Sequence, residues 1–256
     1  MKIIAMIPAR LGSKRIKNKN LRLLGGKPLI AHVIETVKKS NVFDEIYINS
    51  ESDIFKQIAD SYKIKFYKRP SKLSTDTATN DDFTLDFMKN IEGDLLIQIL
   101  STSPFITKKQ IINFVKKAKT VNTLISTKEV KIESIYKNKP INFDQKAPTP
   151  PSQLLEPINA YACSLMSWGY KNFIKNIEKY NAGYHGGDGN IEFFKLDGYA
   201  TVDIDEEQDF QLAEAIINLE NKKPEYYEGN KVYDHNVERV LTQDGVKYND
   251  LYNFNK

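Results

Sequence analysis

Residues 1–125 alternate between short apolar runs and longer segments of helical periodicity. The apolar runs are residues 3–7, 45–49, 64–67 and 94–100, and the periodic segments lie near residues 28–39, 53–62, 81–90 and 107–119. Strands that alternate with helices form an open, mostly parallel sheet, because each right-handed crossover returns the chain to the same edge. The pattern therefore predicts a doubly wound α/β fold.

A basic loop that contains one glycine follows the first apolar run. It extends over residues 10–20 and carries the cations Arg10, Lys14, Arg15, Lys17 and Lys19. Ligands of α/β sheets bind at the carboxyl ends of the strands, and backbone N–H groups near Gly12 and Ser13 can approach a phosphate closely. The loop is predicted to bind a polyphosphate; the alternative is a solvated surface loop.

Two further loops are expected beside the basic loop. Residues 69–80 are polar and rich in Thr and Asp, with Asn80 or Asp81 as the expected N-cap of the next helix, and residues 100–104 end at Pro104. Both follow predicted parallel strands, so all three loops are expected at one edge of the sheet.

Beyond Lys128 the pattern is less regular. Residues 128–165 contain several prolines and a predicted strand over residues 159–166, and we interpret them as an excursion from the core that contacts a second subunit. The glycine-rich residues 181–190 are either the rim of a site or a surface loop. A strand over residues 191–196 and a helix over residues 206–219 complete a domain of residues 1–220, and residues 221–256 form an extension without a clear period.

The composition sets limits on partners and compartment. The chain has 37 cationic and 33 acidic side chains and a net charge of +4, which is too balanced to indicate a nucleic-acid-binding protein and favours a small anionic substrate. The one cysteine, Cys163, excludes an intramolecular disulfide and is expected to be a core thiol. No signal-peptide pattern and no membrane-length apolar run occurs, so we expect no membrane association and a cytoplasmic protein.

Two carboxylates lie at the end of residues 201–205, a segment that is predicted to be a strand. Asp203 and Asp205 lie two residues apart, so a strand would place both on one face, where they suit a hard cation such as Mg²⁺. The alternative makes Asp205 the N-cap of the following helix, with Gln208 completing a capping box. Cations and carboxylates at one sheet edge fit nucleotidyl transfer, in which an acceptor oxygen attacks the α-phosphorus of a nucleoside triphosphate and pyrophosphate leaves.

Four ordered motifs resemble those of the acylneuraminate cytidylyltransferases, the enzymes that make CMP-activated nonulosonic acids such as sialic, legionaminic and pseudaminic acid. They are residues 7–20, 69–78, 101–104 and 203–210. The form of the basic loop looks most like the pseudaminic acid branch. Four motifs in the correct order are far more specific than any one of them.

The resemblance implies a cytidylyltransferase of surface glycan biosynthesis that uses CTP and Mg²⁺ or Mn²⁺, forms a homodimer through a projecting segment, and acts on a sialic-acid-like acceptor. It implies that Asp203 and Asp205 bind the metal and, together with Arg10 and Lys19, act in catalysis. It implies nucleotide binding by Arg10, Gly12, Ser13, Lys14, Lys19, Asn20, Arg69 and Asn80. It implies acceptor binding near Leu100, Ser101, Thr102, Ser103, Glu156 and Asn159.

Two positions depart from the sialic acid pattern. Leu100 stands where sialic acid enzymes have an acceptor-contacting glutamine, and Glu156 stands where they have an arginine near the sugar carboxylate. A glutamate facing an acidic sugar is repulsive. The acceptor therefore stays open, and a nucleotidyltransferase for another acidic acceptor, such as a Kdo-like sugar, a phosphorylated alcohol or a phosphonate, is the second hypothesis. A non-catalytic nucleotide-binding or RNA-binding relative is the third.

Overall fold

In the computed structural model, residues 1–219 are described, and they contain eleven strands and six α-helices. The strands are β1 (Ile3–Pro8), β2 (Leu23–Leu24), β3 (Lys27–Pro28), β4 (Glu45–Ser50), β5 (Lys65–Lys68), β6 (Leu95–Ile99), β7 (Thr123–Val130), β8 (Ile135–Tyr136), β9 (Lys139–Pro140), β10 (Ile158–Gly169) and β11 (Ile191–Lys195). The helices are α1 (Leu29–Ser40), α2 (Asp53–Ser61), α3 (Asn80–Asn90), α4 (Lys108–Ala118), α5 (Tyr170–Tyr180) and α6 (Glu207–Asn218). The predicted extension over residues 221–256 lies outside the described residues.

Seven strands form one twisted sheet in the order β11-β7-β10-β6-β1-β4-β5. All neighbouring pairs are parallel except those of β10, which runs antiparallel to both β6 and β7. The predicted doubly wound, mostly parallel fold is thus confirmed. Because β10 is reversed, its first residues rather than its last lie at the edge where the parallel strands end.

Helices cover both faces of the sheet and bury two apolar layers. On one face α1, α2 and α4 contribute side chains such as Val33, Phe55 and Phe114 to the larger layer. On the other face α3 and α5 contribute Phe87 and Phe173, which pack around fully buried sheet residues. A strand covered on both faces needs apolar side chains at successive positions, which explains the nearly continuous apolar runs of β1 and β6.

Three local expectations are wrong. The N-cap of α3 is Thr79, one residue before the expected pair, and it forms a capping box with Asp82. Residues 202–205 are not a strand, and the only sheet-like bond there is the Ile204 N–H donating to the Thr102 carbonyl at 3.0 Å. Before α6, the N–H groups of residues 205 and 206 donate to the carboxylate of Asp209. The expected capping box between Asp205 and Gln208 is not formed.

A small arm connects β7 to β10. It comprises residues 131–157, including the β8–β9 hairpin, and its two ends are joined by the pairing of Val130 with Ile158. The arm exposes the apolar side chains of Ile132, Ile135, Tyr136, Ile141 and Leu154. Its role in dimerisation stays a prediction. No helix within residues 1–219 has the length and apolar content needed to cross a bilayer.

Candidate active site

A cavity of about 420 Å³ opens at the edge of the sheet where the parallel strands end. The three loops predicted to meet there all line it, together with a bulge of β10, the glycine-rich loop and the segment before α6. The lining residues are Pro8, Ala9, Arg10, Ser13, Lys14, Arg15, Ile16, Lys19, Asn20, Arg69, Asn80, Phe83, Leu100, Ser101, Thr102, Cys163, Tyr184, Asp203 and Asp205.

Arg10 and Lys14 of the basic loop face a carboxylate of the second loop. Arg10 Nη1 lies 3.2 Å from Asp76 Oδ1, and Lys14 Nζ lies 2.5 Å from Asp76 Oδ2. The Lys14 and Arg10 bonds hold the pKa of Asp76 below its usual value. Gly12 does not line the cavity, and no atom lies within 4 Å of where its Cβ would stand. The loop thus presents two cations to one exposed anion, as it would to a phosphate.

Lys19 and Arg15 converge on Asp205. Lys19 Nζ lies 3.0 Å from Asp205 Oδ1 and also donates to the carbonyl of Ile204 at 2.5 Å, while Arg15 Nη2 lies 2.9 Å from the same carboxylate oxygen. Burial disfavours ionisation of Asp205, but the bond from Lys19 and the charges of Lys19 and Arg15 outweigh it, and the pKa of Asp205 lies below its usual value. Asp205 is therefore an ionised anchor for the basic loop.

Asp203 has the opposite environment. Its Oδ1 is buried and has no hydrogen-bond partner, and burial raises the pKa of Asp203 above its usual value although the Thr102 hydroxyl opposes the shift. A buried carboxylate oxygen without a partner is suited to a cation. Residues 1–219 contain no cluster of three or more His, Cys, Asp or Glu ligands for a metal. Two carboxylates suit Mg²⁺, which commonly keeps waters and binds substrate phosphates.

Asn20 joins the first and third loops. Its Nδ2 donates to the carbonyl of Arg10 at 3.2 Å, and its Oδ1 accepts the Ser101 hydroxyl at 2.7 Å. Asn20 is only 5% exposed, so these bonds are shielded from water. Asn20, which is predicted to bind the nucleotide, thus lines the cavity and also holds two loops together.

Arg69, the first residue of the second loop, also lines the cavity. It is 4% exposed, its Nη2 donates to the carbonyl of Ala9 at 2.8 Å, and its guanidinium lies 4.9 Å from the centre of the Phe83 ring. Burial lowers the pKa of Arg69, with Glu51 opposing the shift. Asn80 and Phe83 line the cavity as well, so this part of its wall combines an aromatic face, a cation and an amide.

The predicted acceptor residues divide into two groups. Leu100, Ser101 and Thr102 line the cavity, and Ser103 is buried. Glu156 and Asn159 do not line the cavity; both are exposed and lie near the point where the arm meets β10. The Glu156 carbonyl accepts a bond from the Asn142 side chain within the arm.

Cys163 and Tyr184 line the cavity but were not predicted to do so. Cys163 lies in the β10 bulge with φ of 57°, half-buried rather than in the core, and burial raises the pKa of its thiol. Tyr184 belongs to the glycine-rich loop, whose N–H groups at Gly183 and Tyr184 both bond to Asp81 Oδ1. That loop is therefore the rim of the site. The glycines indicate a loop, but no sequence signal identifies the bulge.

Several known proteins are similar in sequence to this chain over much of its length. The profile of the cytidylyltransferase family matches residues 4–145. An N-acylneuraminate cytidylyltransferase of Escherichia coli is 30% identical over 241 residues, which are 87% of this chain and 54% of that protein. A CMP-N,N'-diacetyllegionaminic acid synthase of Legionella pneumophila is 32% identical over 149 residues, which are 56% of this chain and 60% of that protein. The chain thus spans only part of the length of these relatives.

Solved structures share the fold at low sequence identity. A CMP:2-keto-3-deoxy-manno-octonic acid synthetase in complex with CTP has a TM-score of 0.65 at 16% identity, with 85% of this chain and 98% of that chain covered. A 4-diphosphocytidyl-2C-methyl-D-erythritol synthase from Anaerococcus prevotii has a TM-score of 0.63 at 18% identity, with 85% and 96% covered. The sequence profile spans more than half of the chain, and on that ground the chain belongs to the cytidylyltransferase family.

Proposed function

We propose that this protein transfers CMP from CTP to a nonulosonic acid and releases pyrophosphate. The observation that carries the proposal is a single cavity that combines the cations of the basic loop with the Asp203 and Asp205 carboxylates. A triphosphate needs cations along its length, and its reactive phosphorus needs stabilisation where charge develops. The similarity to cytidylyltransferases of sialic and legionaminic acids supports CTP and this class of acceptor.

In this proposal the basic loop binds the triphosphate. Arg10 and Lys14 exchange their contact with the exposed Asp76 for phosphate oxygens, and Ser13 adds a hydroxyl donor. Lys19 remains beside Asp205 and compensates charge near the leaving pyrophosphate. The chemical step is an attack by an acceptor oxygen on the α-phosphorus, so the protein contributes mainly position and charge.

The nucleoside is assigned to the part of the cavity wall formed by Arg69, Asn80 and Phe83. An amide and a guanidinium can both bond to a pyrimidine edge or a ribose hydroxyl, and the Phe83 ring offers an apolar surface. Asn20, which bonds to the Arg10 carbonyl and the Ser101 hydroxyl, is assigned a further contact with the nucleoside.

Asp203 and Asp205 are proposed to hold Mg²⁺, with Mn²⁺ as an alternative of similar chemistry. The unpartnered Oδ1 of Asp203 is the group that most needs a cation, while Asp205 is already paired with Lys19 and Arg15. When bound, the metal would neutralise charge on the phosphate oxygens.

The acceptor is proposed to bind near Leu100, Ser101 and Thr102. Leu100 offers an apolar contact where sialic acid enzymes have a glutamine, which favours an acceptor that carries an apolar group at that point. Glu156 does not line the cavity, so its charge does not oppose an acidic acceptor bound within the same subunit. Leu100 is also the observation that keeps a different acidic acceptor, such as a Kdo-like sugar, as the second candidate.

A homodimer formed through the arm is part of the proposal. The arm presents Ile135, Tyr136 and Leu154 with 65%, 62% and 75% of their surfaces exposed, which is unusual for apolar side chains grouped on one short segment. Light scattering of the purified protein measures the mass directly. We expect a dimer that dissociates when Ile135 and Tyr136 are both replaced by Ser, and a monomeric wild type would contradict the proposal.

The activity is tested by pyrophosphate release. Each of the four nucleoside triphosphates is offered with Mg²⁺ and a panel of acceptors: N-acetylneuraminic, legionaminic and pseudaminic acids, Kdo, a phosphorylated alcohol and a phosphonate. We expect release only with CTP and a nonulosonic acid, and none without acceptor. Release with Kdo or a phosphonate alone would favour the second candidate, and binding of CTP without release from any acceptor would favour a non-catalytic relative.

A further inference from the structure

The main chain around Arg10 is held by two side chains from other loops. The carbonyl before it, that of Ala9, accepts Arg69 Nη2 at 2.8 Å. The N–H after it, that of Leu11, donates to Glu51 Oε1 at 2.9 Å. The peptide groups on both sides of Arg10 are therefore fixed, which also fixes the direction in which its side chain leaves the backbone.

Glu51 and Arg69 also contact each other. Glu51 is the first residue after β4, and its Oε2 lies 3.5 Å from Arg69 Nη2 and 3.3 Å from the Ser50 hydroxyl. The Arg69 side chain is 4% exposed and that of Glu51 is 17% exposed, so the pair is shielded from water. Burial disfavours ionisation of Glu51, but it is outweighed by bonds from the N–H groups of Leu11 and of Glu51 itself and from the Ser74 side chain, and by the charge of Arg69, so the pKa of Glu51 lies below its usual value.

Glu51 thereby connects two groups of residues that line the cavity. Its carboxylate bonds to the loop that carries Arg10 and Lys14 and pairs with Arg69, which lies against Phe83. Glu51 does not itself line the cavity. A group that fixes ligand-binding residues without touching the ligand preorganises them, and such groups determine how much of the binding energy is realised.

We propose that Glu51 is a positioning residue for CTP, which sets the basic loop and the Arg69 guanidinium in the arrangement that receives the nucleotide. This inference rests on the proposed function, since it concerns the same cavity. It assigns Glu51 no contact with CTP, the acceptor or the reacting atoms. Its consequence is that the charge and the hydrogen bond of one side chain outside the cavity determine CTP affinity.

The test compares Glu51→Ala and Glu51→Gln with the wild type. Titration calorimetry gives the Kd for CTP, and steady-state kinetics give KM for CTP and for the acceptor separately. Because small misplacements of binding groups cost up to about a hundredfold, we expect Glu51→Ala to weaken CTP binding by about 10- to 100-fold. The KM of the acceptor is expected to change by less than about twofold, since no acceptor group depends on Glu51.

Glu51→Gln separates the hydrogen bond from the charge. The Gln amide oxygen can still accept the Leu11 N–H, but the side chain no longer balances Arg69. We expect it to recover part of the CTP affinity that Glu51→Ala loses. A Gln variant as weak as the Ala variant would overturn the role of the Leu11 bond, and an Ala variant that binds CTP as tightly as the wild type would overturn the proposal.

Glu45→Gln is the matched control on the opposite end of the same strand. Glu45 accepts bonds from Lys65 and Tyr47 and lies away from the cavity, so its variant should bind CTP like the wild type. Circular dichroism and thermal unfolding confirm that each variant is folded, and if Glu51→Ala does not fold, the Gln variant alone decides. Equal losses for CTP and acceptor would indicate a general structural defect and overturn the proposal. Failure of the wild type to bind CTP would instead refute the proposed function.

Discussion

Asp203 and Asp205 allow paired substitutions whose effects on stability are expected to have opposite signs. Asp203 has a buried oxygen without a partner, whereas Asp205 pairs with Lys19 and Arg15. Asp203→Asn removes a buried charge, and Asp205→Asn removes two ion pairs. In the metal-free protein we therefore expect Asp203→Asn to raise the free energy of unfolding and Asp205→Asn to lower it.

The size of the Asp203 effect follows from its burial. A polar group kept from water without a partner costs about 1–3 kcal/mol, and more when it is charged. Asparagine keeps the shape of the side chain and one polar oxygen, so it relieves the charge-dependent part, roughly 1 kcal/mol. In a domain of this size, that gain corresponds to a rise in Tm of about 2–4 °C.

The pH dependence of stability tests the same argument in a second way. Burial raises the pKa of Asp203 in the folded protein, so its charge weakens the folded state at pH values above that pKa and ceases to do so in acid, where the carboxyl is protonated. The pKa of Asp205 is lowered, so its stabilisation is present at neutral pH and is lost as the pH falls through the folded value. The difference in Tm between each variant and the wild type should therefore become smaller in acid.

The assay is thermal unfolding in the presence of a chelator, combined with turnover of CTP. Both variants should lose at least about 100-fold in kcat, because each removes a proposed ligand of the metal that would neutralise charge on the phosphate oxygens. A fall in Tm for Asp203→Asn at neutral pH would refute the burial argument. Full activity in the same variant would mean that Asp203 does not serve the metal.

Three other substitutions test the loops around the cavity. Asp76→Asn should tighten CTP binding up to about fivefold by calorimetry at low salt, because the carboxylate competes with the triphosphate; Asp53→Asn, an exposed carboxylate on α2, should have no effect. Ser101→Ala should destabilise the fold by about 1–3 kcal/mol in urea unfolding, because it leaves the Asn20 amide oxygen unpaired in a buried position. Thr79→Ala should cost about 1 kcal/mol by the same measurement, since it removes the cap of α3.

Most of the sheet could be predicted because its strands are covered on both faces. Such strands need apolar residues at successive positions, and β1, β4 and β6 all have them within two residues of the predicted bounds. The helix α5 was not predicted, although Tyr170, Phe173 and Ile177 recur at helical spacing; the expectation that the pattern is irregular beyond Lys128 is wrong for this segment. The antiparallel orientation of β10 depends on tertiary contacts, and no local sequence pattern predicts it.

The candidate site could be predicted only in part, because some of its residues are brought there by tertiary contacts. The loop cations and the carboxylate pair are recognisable as charges near strand ends, and the cavity brings them together. Tyr184 and Cys163 reach the same cavity through a glycine-rich loop and a bulge, which depend on contacts far away in the sequence. The strand predicted for residues 201–205 is an irregular segment, because its N–H groups bond to Tyr199, Thr102 and the Asp209 carboxylate, none of which belongs to a strand.

The pairing of Val130 with Ile158 has a consequence for how this fold can vary. Directly opposed residues on antiparallel strands lie roughly 5 Å apart, so the arm leaves and re-enters the sheet at nearly the same point. A tight turn could close that gap, and the register of β7 and β10 would not change. A related chain could therefore lengthen, shorten or replace the arm without moving the strands that carry the loops of the cavity.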